Sequence, residues 1–158
     1  MNPAELGTIL QGMDLFHEFN EHEMEAFLSL VEPVQFATGE TVVKQDDHGD
    51  CMFLIVGGTA RVVHRRDGRY IELSVLKCGD FFGELALVDA GPRSADVIAL
   101  EDCSLLRLSQ AVIRALAGVY PSAAFKLLIS VGRVMVARLR AGNQKYIDSI
   151  LLCAPAKD

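Results

Sequence analysis

The reading of this chain turns on residues 79–97, GDFFGELALVDAGPRSADV. The apolar pair Phe81-Phe82 runs into Gly83 and Glu84. Four helix-compatible residues follow, then Asp89, a Gly91-Pro92 break, and Arg93-Ser94-Ala95. Gly83 permits a backbone turn that other residues resist. Residues 84–88 can then form one helical turn, whose first amides have no intrahelical partner and face an anion. Arg93 supplies one full positive charge and Ser94 a hydroxyl donor. That set suits a phosphate carrying a single negative charge. Glu84 cannot serve the same phosphate, because like charges repel. It can accept hydrogen bonds beside it, and a ribose hydroxyl is the natural donor. The physical reading is a small nucleotide with one phosphate charge. A structural loop closed by a Glu84–Arg93 ion pair would use the same residues.

On both sides of this stretch the chain alternates short apolar runs with turns. PVQF (33–36), ETVVKQ (40–45), CMFLIVG (51–57), TARVVHR (59–65), YIELSVL (70–76), SADVIAL (94–100) and CSLLRL (103–108) are rich in β-branched and aromatic residues. Gly and Asp residues separate them about every ten positions. Asp67-Gly68 between two such runs suits a type I′ hairpin. Seven or eight short strands at this spacing indicate a sandwich or barrel. Before them, residues 3–31 read as helical. Asn20 is an N-cap with Glu23 three residues on, Met24, Phe27, Leu28 and Val31 form one apolar face, and Pro33 ends the segment. After Ser109, itself an N-cap, a short helix is followed by a long one from Pro121. Leu127, Leu128, Val131, Val134, Met135, Arg138 and Leu139 mark one face of it. Gly142 bends or ends it.

At Phe82, Gly83, Glu84, Leu85, Ala86, Pro92, Arg93, Ser94 and Ala95 the sequence resembles the phosphate-binding cassette of cyclic nucleotide-binding domains. That family includes catabolite activators, protein kinase A regulatory subunits and gated channels. The similarity extends from about Leu15 to about Lys145. It implies a mainly β fold: an eight-stranded β-roll of jelly-roll type with N-terminal helices and a long C-terminal helix. It also implies one domain over residues 1–158, with helices in 1–33, the roll in 34–108 and helices in 109–152. By the same resemblance Glu84 holds the ribose 2′-hydroxyl. Arg93 pairs with the cyclic phosphate, aided by Ser94 and by amides near Leu85, Ala86 and Ala95. Where bacterial activators read the adenine from two hydroxyl residues, this chain has Gly142 and Asn143. Asn143 can bond a base edge and Arg138 can stack on one, although a solvated helix face is the commoner meaning of each.

Composition narrows the function. A net charge of −6 speaks against a stand-alone nucleic-acid binder. About twelve residues follow Tyr146, too few for a helix-turn-helix, so DNA is not an expected partner. No run approaches the roughly 20 apolar residues that span a bilayer, and no leader is visible. Cys51, Cys78, Cys103 and Cys153 match no metal or disulfide spacing and read as small apolar residues in a reducing cytoplasm. His17 and His22, five apart, do not share a helix face, so no metal is expected. His64 to Arg66 read as a solvated hairpin end, and Phe53, Leu54, Phe81 and Phe82 as core. No nucleophile-elbow, P-loop or zincin pattern is present, so no enzyme and no cofactor are expected. The expectation is a regulatory sensor for cAMP, with cGMP or cyclic di-GMP as the other candidates. It would act through a homodimer formed by the C-terminal helix or through an effector protein. The other class is an assembly protein of the same fold with an unused pocket.

Overall fold

The computed structural model describes residues 3–153. Two N-terminal helices, α1 (Pro3–Gln11) and α2 (Glu21–Leu30), precede ten strands: β1 (Glu32–Phe36), β2 (Thr41–Val43), β3 (His48–Gly49), β4 (Cys51–Gly57), β5 (Ala60–Arg66), β6 (Arg69–Leu76), β7 (Phe81–Phe82), β8 (Gly91–Pro92), β9 (Asp96–Ala99) and β10 (Cys103–Ser109). A single turn, α3 (Leu85–Val88), interrupts them, and α4 (Gln110–Val119) and α5 (Pro121–Cys153) follow. Residues 12–20 are turns rather than helix, so the N-terminal segment is two helices and not one. The count of ten strands exceeds the expected eight because β3, β7 and β8 have two residues each, too short to leave a periodic trace.

The strands form antiparallel sheets ordered β1-β10-β4-β7 and β2-β9-β5-β6, with β3 and β8 as a separate pair. The β5–β6 hairpin turns at Asp67 and Gly68, both at positive φ (52° and 72°), as a type I′ turn requires.

Strand β4 explains why CMFLIVG is continuously apolar. Successive side chains point to opposite faces. Cys51, Phe53 and Ile55 join a core between the two sheets. Met52, Leu54 and Val56 join a second core under the helices, with Phe16, Phe27, Leu116 and Leu127. The same alternation splits β7: Phe81 enters the helical core and Phe82 the inter-sheet core. The cassette therefore starts where the two cores meet.

Caps appear where the sequence places them. The Asn20 side chain accepts from the Glu23 amide at 2.9 Å, and the Asn20 amide donates to Glu23 Oε2 at 3.0 Å. Ser109 Oγ accepts from the Val112 amide at 3.3 Å. Glu23 has a further role. It is 2% exposed and receives Lys126 Nζ at 2.8 Å and Ser122 Oγ at 2.6 Å, which ties α2 to the first turns of α5. Burial would raise its carboxyl. The bonds from Lys126, Ser122 and Asn20 outweigh burial and hold it at about 2.

Helix α5 does not end at Gly142; it runs through to Cys153. Its core-facing side is Ala123, Ala124, Leu127 and Val131, with Val134 and Met135 partly covered. Leu128 and Leu139, expected on that face, are exposed, because the covered stripe on α5 is narrower than the apolar pattern. Among the described cysteines Cys51 and Cys103 are buried but Cys78 is exposed; the side chain of Cys153 lies outside the described residues. Among the described residues, no helix is long and apolar enough to cross a membrane.

Candidate functional site

The cassette closes on itself through backbone bonds. Gly83 sits at φ +74°. Its carbonyl accepts the Ala86 amide at 3.2 Å, and the Glu84 carbonyl accepts the Leu87 amide at 3.0 Å. This makes the single turn α3. The Ala86 amide, expected to face an anion, is thus already engaged. Glu84 precedes the turn without capping it, so its carboxylate is left to other partners.

Across the loop, the backbone of Arg93 is clamped by the β2–β3 turn. Its amide donates to the Asp47 carbonyl at 2.8 Å, and the Asp46 amide donates to its carbonyl at 2.9 Å. Strands β3 and β8 then pair His48 with Pro92 and Gly49 with Gly91. The side chain passes between two glycines: a Cβ on Gly49 or on Gly83 would overlap the guanidinium. Arg93 Nη1 donates to the Gly83 carbonyl at 3.3 Å and Nη2 to Cys51 Sγ at 3.5 Å. Both acceptors are neutral, and the contact to the carbonyl is long. Among the described residues no carboxylate lies within ion-pair distance of Arg93. The Glu84–Arg93 ion pair of the structural-loop reading is therefore not formed.

Glu84 has a different neighbour. Arg138 reaches down from α5 and places Nη1 3.6 Å from Glu84 Oε1. Its Nη2 donates to the Phe81 carbonyl at 2.8 Å, and its guanidinium carbon lies 4.6 Å from the Phe81 ring centroid. One side chain thus joins the C-terminal helix to both ends of the sequence Phe81-Phe82-Gly83-Glu84.

These groups surround a cavity of about 450 Å³. All nine cassette positions and Arg138 line it, together with apolar residues of the roll such as Val43, Val62 and Val97. A groove of about 530 Å³ lies nearby and shares Phe81 and Arg138. It lacks Arg93 and Glu84, so chemistry rather than volume distinguishes the first cavity. Ser94 is exposed at the cavity wall, and its carbonyl accepts from or faces His64 Nδ1 at 3.0 Å. Asn143 does not line the cavity. It is exposed on α5, more than a turn beyond Arg138.

Sequence reasoning missed a supporting cluster. Asp96, buried, accepts the Gln45 amide at 2.7 Å and lies 2.9 Å from Arg65 Nε. Gln45 and Arg65 exchange further bonds, including the Arg65 amide to Gln45 Oε1 at 2.7 Å. Arg65 is therefore part of the frame and not a solvated hairpin end. Only its neighbour Arg66, beside Asp67, is well exposed. Gly49, one wall of the Arg93 slot, is another residue whose role depends on a distant partner.

Fold and site together define a β-roll with a cavity that holds one unpaired guanidinium, and the sequence comparisons say to which family such a module belongs. The profile of the cyclic nucleotide-binding domain matches residues 33–120, more than half of the chain. The chain belongs to the cyclic nucleotide-binding domain family. It is 27% identical over 153 residues to a CRP-like cAMP-activated global transcriptional regulator of Mycobacterium tuberculosis, covering 96% of this chain and 66% of that one. The N-terminal domain of a transcriptional regulator from Streptomyces coelicolor superposes with TM-score 0.71 at 30% identity, over 87% of this chain and 93% of that one. The catabolite activator protein of Thermus thermophilus superposes with TM-score 0.76 at 28% identity, over 87% of this chain and 62% of its own. The chain thus spans just under two thirds of the full-length regulators it resembles.

Proposed function

We propose that this chain is a sensor for a cyclic mononucleotide, with cAMP its preferred ligand, and that α5 carries the signal to a second copy of the chain. Arg93 carries the reading. A guanidinium held in a glycine-walled slot, partly buried and without a carboxylate, is prepared for an anion. A cyclic phosphate bears one negative charge and two free oxygens, which match the planar fork of one arginine. Ser94 adds a hydroxyl to the same phosphate. Glu84, across the cavity, accepts the ribose 2′-hydroxyl. The preference for cAMP is supported by the name of the Mycobacterium relative, which is cAMP-activated.

The route to α5 follows from Glu84. Its carboxylate has Arg138 at 3.6 Å, and a ribose hydroxyl arriving there changes that contact. Arg138 also bonds the Phe81 carbonyl, so the position of α5 and the shape of the cassette bias one another. The net charge of −6 offers no general attraction to nucleic-acid phosphates, so direct DNA binding is not part of this reading.

Calorimetric titration with cAMP, cGMP and cyclic di-GMP tests it. Saturable heat with cAMP, stronger than with the other two, is expected. No heat with any of the three, from a folded sample, would favour the assembly protein with an unused pocket.

A further inference from the structure

Ser94 and Ala95 end the cassette where it joins β9, and the peptide between them has a carbonyl and an amide to satisfy. In a flat trans peptide these two groups point to opposite sides. The ladder between β5 and β9 ought to serve the carbonyl. The Leu100 amide donates to the Thr59 carbonyl at 2.8 Å, and bonded pairs recur at every second step of an antiparallel ladder. Val63 opposite Asp96 is such a step, and Arg65 opposite Ser94 would be the next. The Arg65 amide, however, is taken by Gln45 Oε1 at 2.7 Å.

A side chain stands in for it. His64 Nδ1 lies 3.0 Å from the Ser94 carbonyl. A carbonyl oxygen only accepts, so the ring hydrogen is on Nδ1. Among the described residues this is the one bond to that carbonyl. The ring has no competing charge to satisfy: the described histidine ion pairs are those of His17 and His22. With the carbonyl held toward β5, the Ala95 amide points the other way. Ala95 is 7% exposed and lines the cavity, yet among the described residues its amide meets no acceptor. Buried amides are almost always paired, so this one is held ready for an acceptor that the chain itself does not supply.

We infer that His64 is a positioning residue of the anion site: by holding the Ser94 carbonyl against β5 it aims the Ala95 amide at the phosphate that Arg93 receives. This deepens the nucleotide reading above and rests on it. Arg93 supplies charge on a flexible side chain. An amide fixed by its own peptide plane supplies direction. The ring acts without touching the ligand, since His64 is not part of the cavity wall. Without the ring the peptide is free to rotate, and a flipped peptide would turn its carbonyl dipole toward the negative phosphate.

The test uses the full chain as wild type, His64→Gln and His64→Leu. Glutamine keeps a donor on a side chain of similar reach, whereas leucine keeps only bulk. Each protein is melted, titrated with cAMP in the calorimeter, and followed at the Ala95 amide by NMR during titration with inorganic phosphate. His64→Leu should bind cAMP about tenfold more weakly, the lower end of what a hydrogen bond to a charged group is worth, and His64→Gln should recover most of that loss. The Ala95 amide should respond to phosphate in the wild type and in His64→Gln, and much less in His64→Leu. A His64→Leu protein that binds like the wild type overturns the inference. Equal weakening in both variants also overturns it, because that marks a ring that only fills space. If His64→Leu does not fold, the wild-type ring decides: nitrogen NMR at about pH 8, where imidazole is mostly neutral, must find the hydrogen on Nδ1, and finding it on Nε2 overturns the inference. Absent heat with cAMP from folded wild type refutes the nucleotide proposal. The phosphate titration then still judges His64, and an Ala95 amide that ignores phosphate in the wild type overturns the aiming role.

Discussion

Replacing Arg93 with alanine removes the one cation that the pocket offers a phosphate without a competing carboxylate. The hydrogen bonds of this side chain go only to neutral acceptors, the Gly83 carbonyl at 3.3 Å and Cys51 Sγ at 3.5 Å. Little native stability depends on it, and truncation is expected to leave the melting temperature nearly unchanged. Binding is different. The ligand would be enclosed with its charge unpaired, and breaking such a pair costs about 3–5 kcal/mol. At 1.4 kcal/mol per tenfold, affinity for cAMP falls roughly a hundredfold to a few thousandfold. Arg93→Lys should recover part of this, since it restores charge without the planar fork. Calorimetry on both variants, with thermal melts alongside, reads the two quantities separately. An Arg93→Ala protein that melts normally and loses less than about fivefold, or ~1 kcal/mol, in affinity would show that the phosphate is held elsewhere.

If Glu84 accepts the 2′-hydroxyl, 2′-deoxy-cAMP should bind more weakly than cAMP by about 1.5–3 kcal/mol, the usual worth of a hydrogen bond to a charged group; Glu84→Gln should narrow the gap, and equal affinities in the wild type refute the assignment. Hydrogen exchange with and without cAMP should change in residues 121–151 as well as in 82–95; a response confined to the cassette would remove α5 from the signalling route. The Glu23 carboxyl is depressed from 4.5 to about 2, so its bonds to Lys126 and Ser122 stabilise the fold fully above the unfolded value. That contribution is lost as pH falls from there toward 2. Glu23→Gln should therefore flatten the acid limb of a stability–pH curve over that range, and an unchanged limb argues against the linkage.

Much of this architecture is local in origin, which is why it can be read from sequence. The Asn20–Glu23 cap, the Asp67-Gly68 turn and the one-turn helix after Gly83 each depend on residues within a few positions of one another. The nine cassette positions, five at 82–86 and four at 92–95, also lie within fourteen residues of one another. What could not be read depends on distant partners. Asp96 was one more strand residue until Gln45 and Arg65 were brought to it from 51 and 31 positions away. Glu23 was legible as a cap but not as the anchor of Lys126, since the cap accounts for only part of its bonding. Strands β3, β7 and β8 exist because a neighbour pairs with them, and two residues carry no period. On α5, apolarity was visible but its direction was not. Leu128 and Leu139 belong to the outward side, and Asn143 stands away from the cavity.

The slot around Arg93 separates what the fold needs from what the site needs. Gly49 has an ordinary backbone conformation, unlike Gly83 with its φ of +74°, so any small side chain can be accommodated there by the main chain. What that side chain meets is the far end of Arg93, a flexible group that can swing aside at little cost. A lineage drifting at position 49 would thus keep its β-roll, its helices and its melting behaviour while the cation left the pocket. A side chain at position 49 is thus expected to cost the pocket its cation, even with Glu84 and Arg93 both in place.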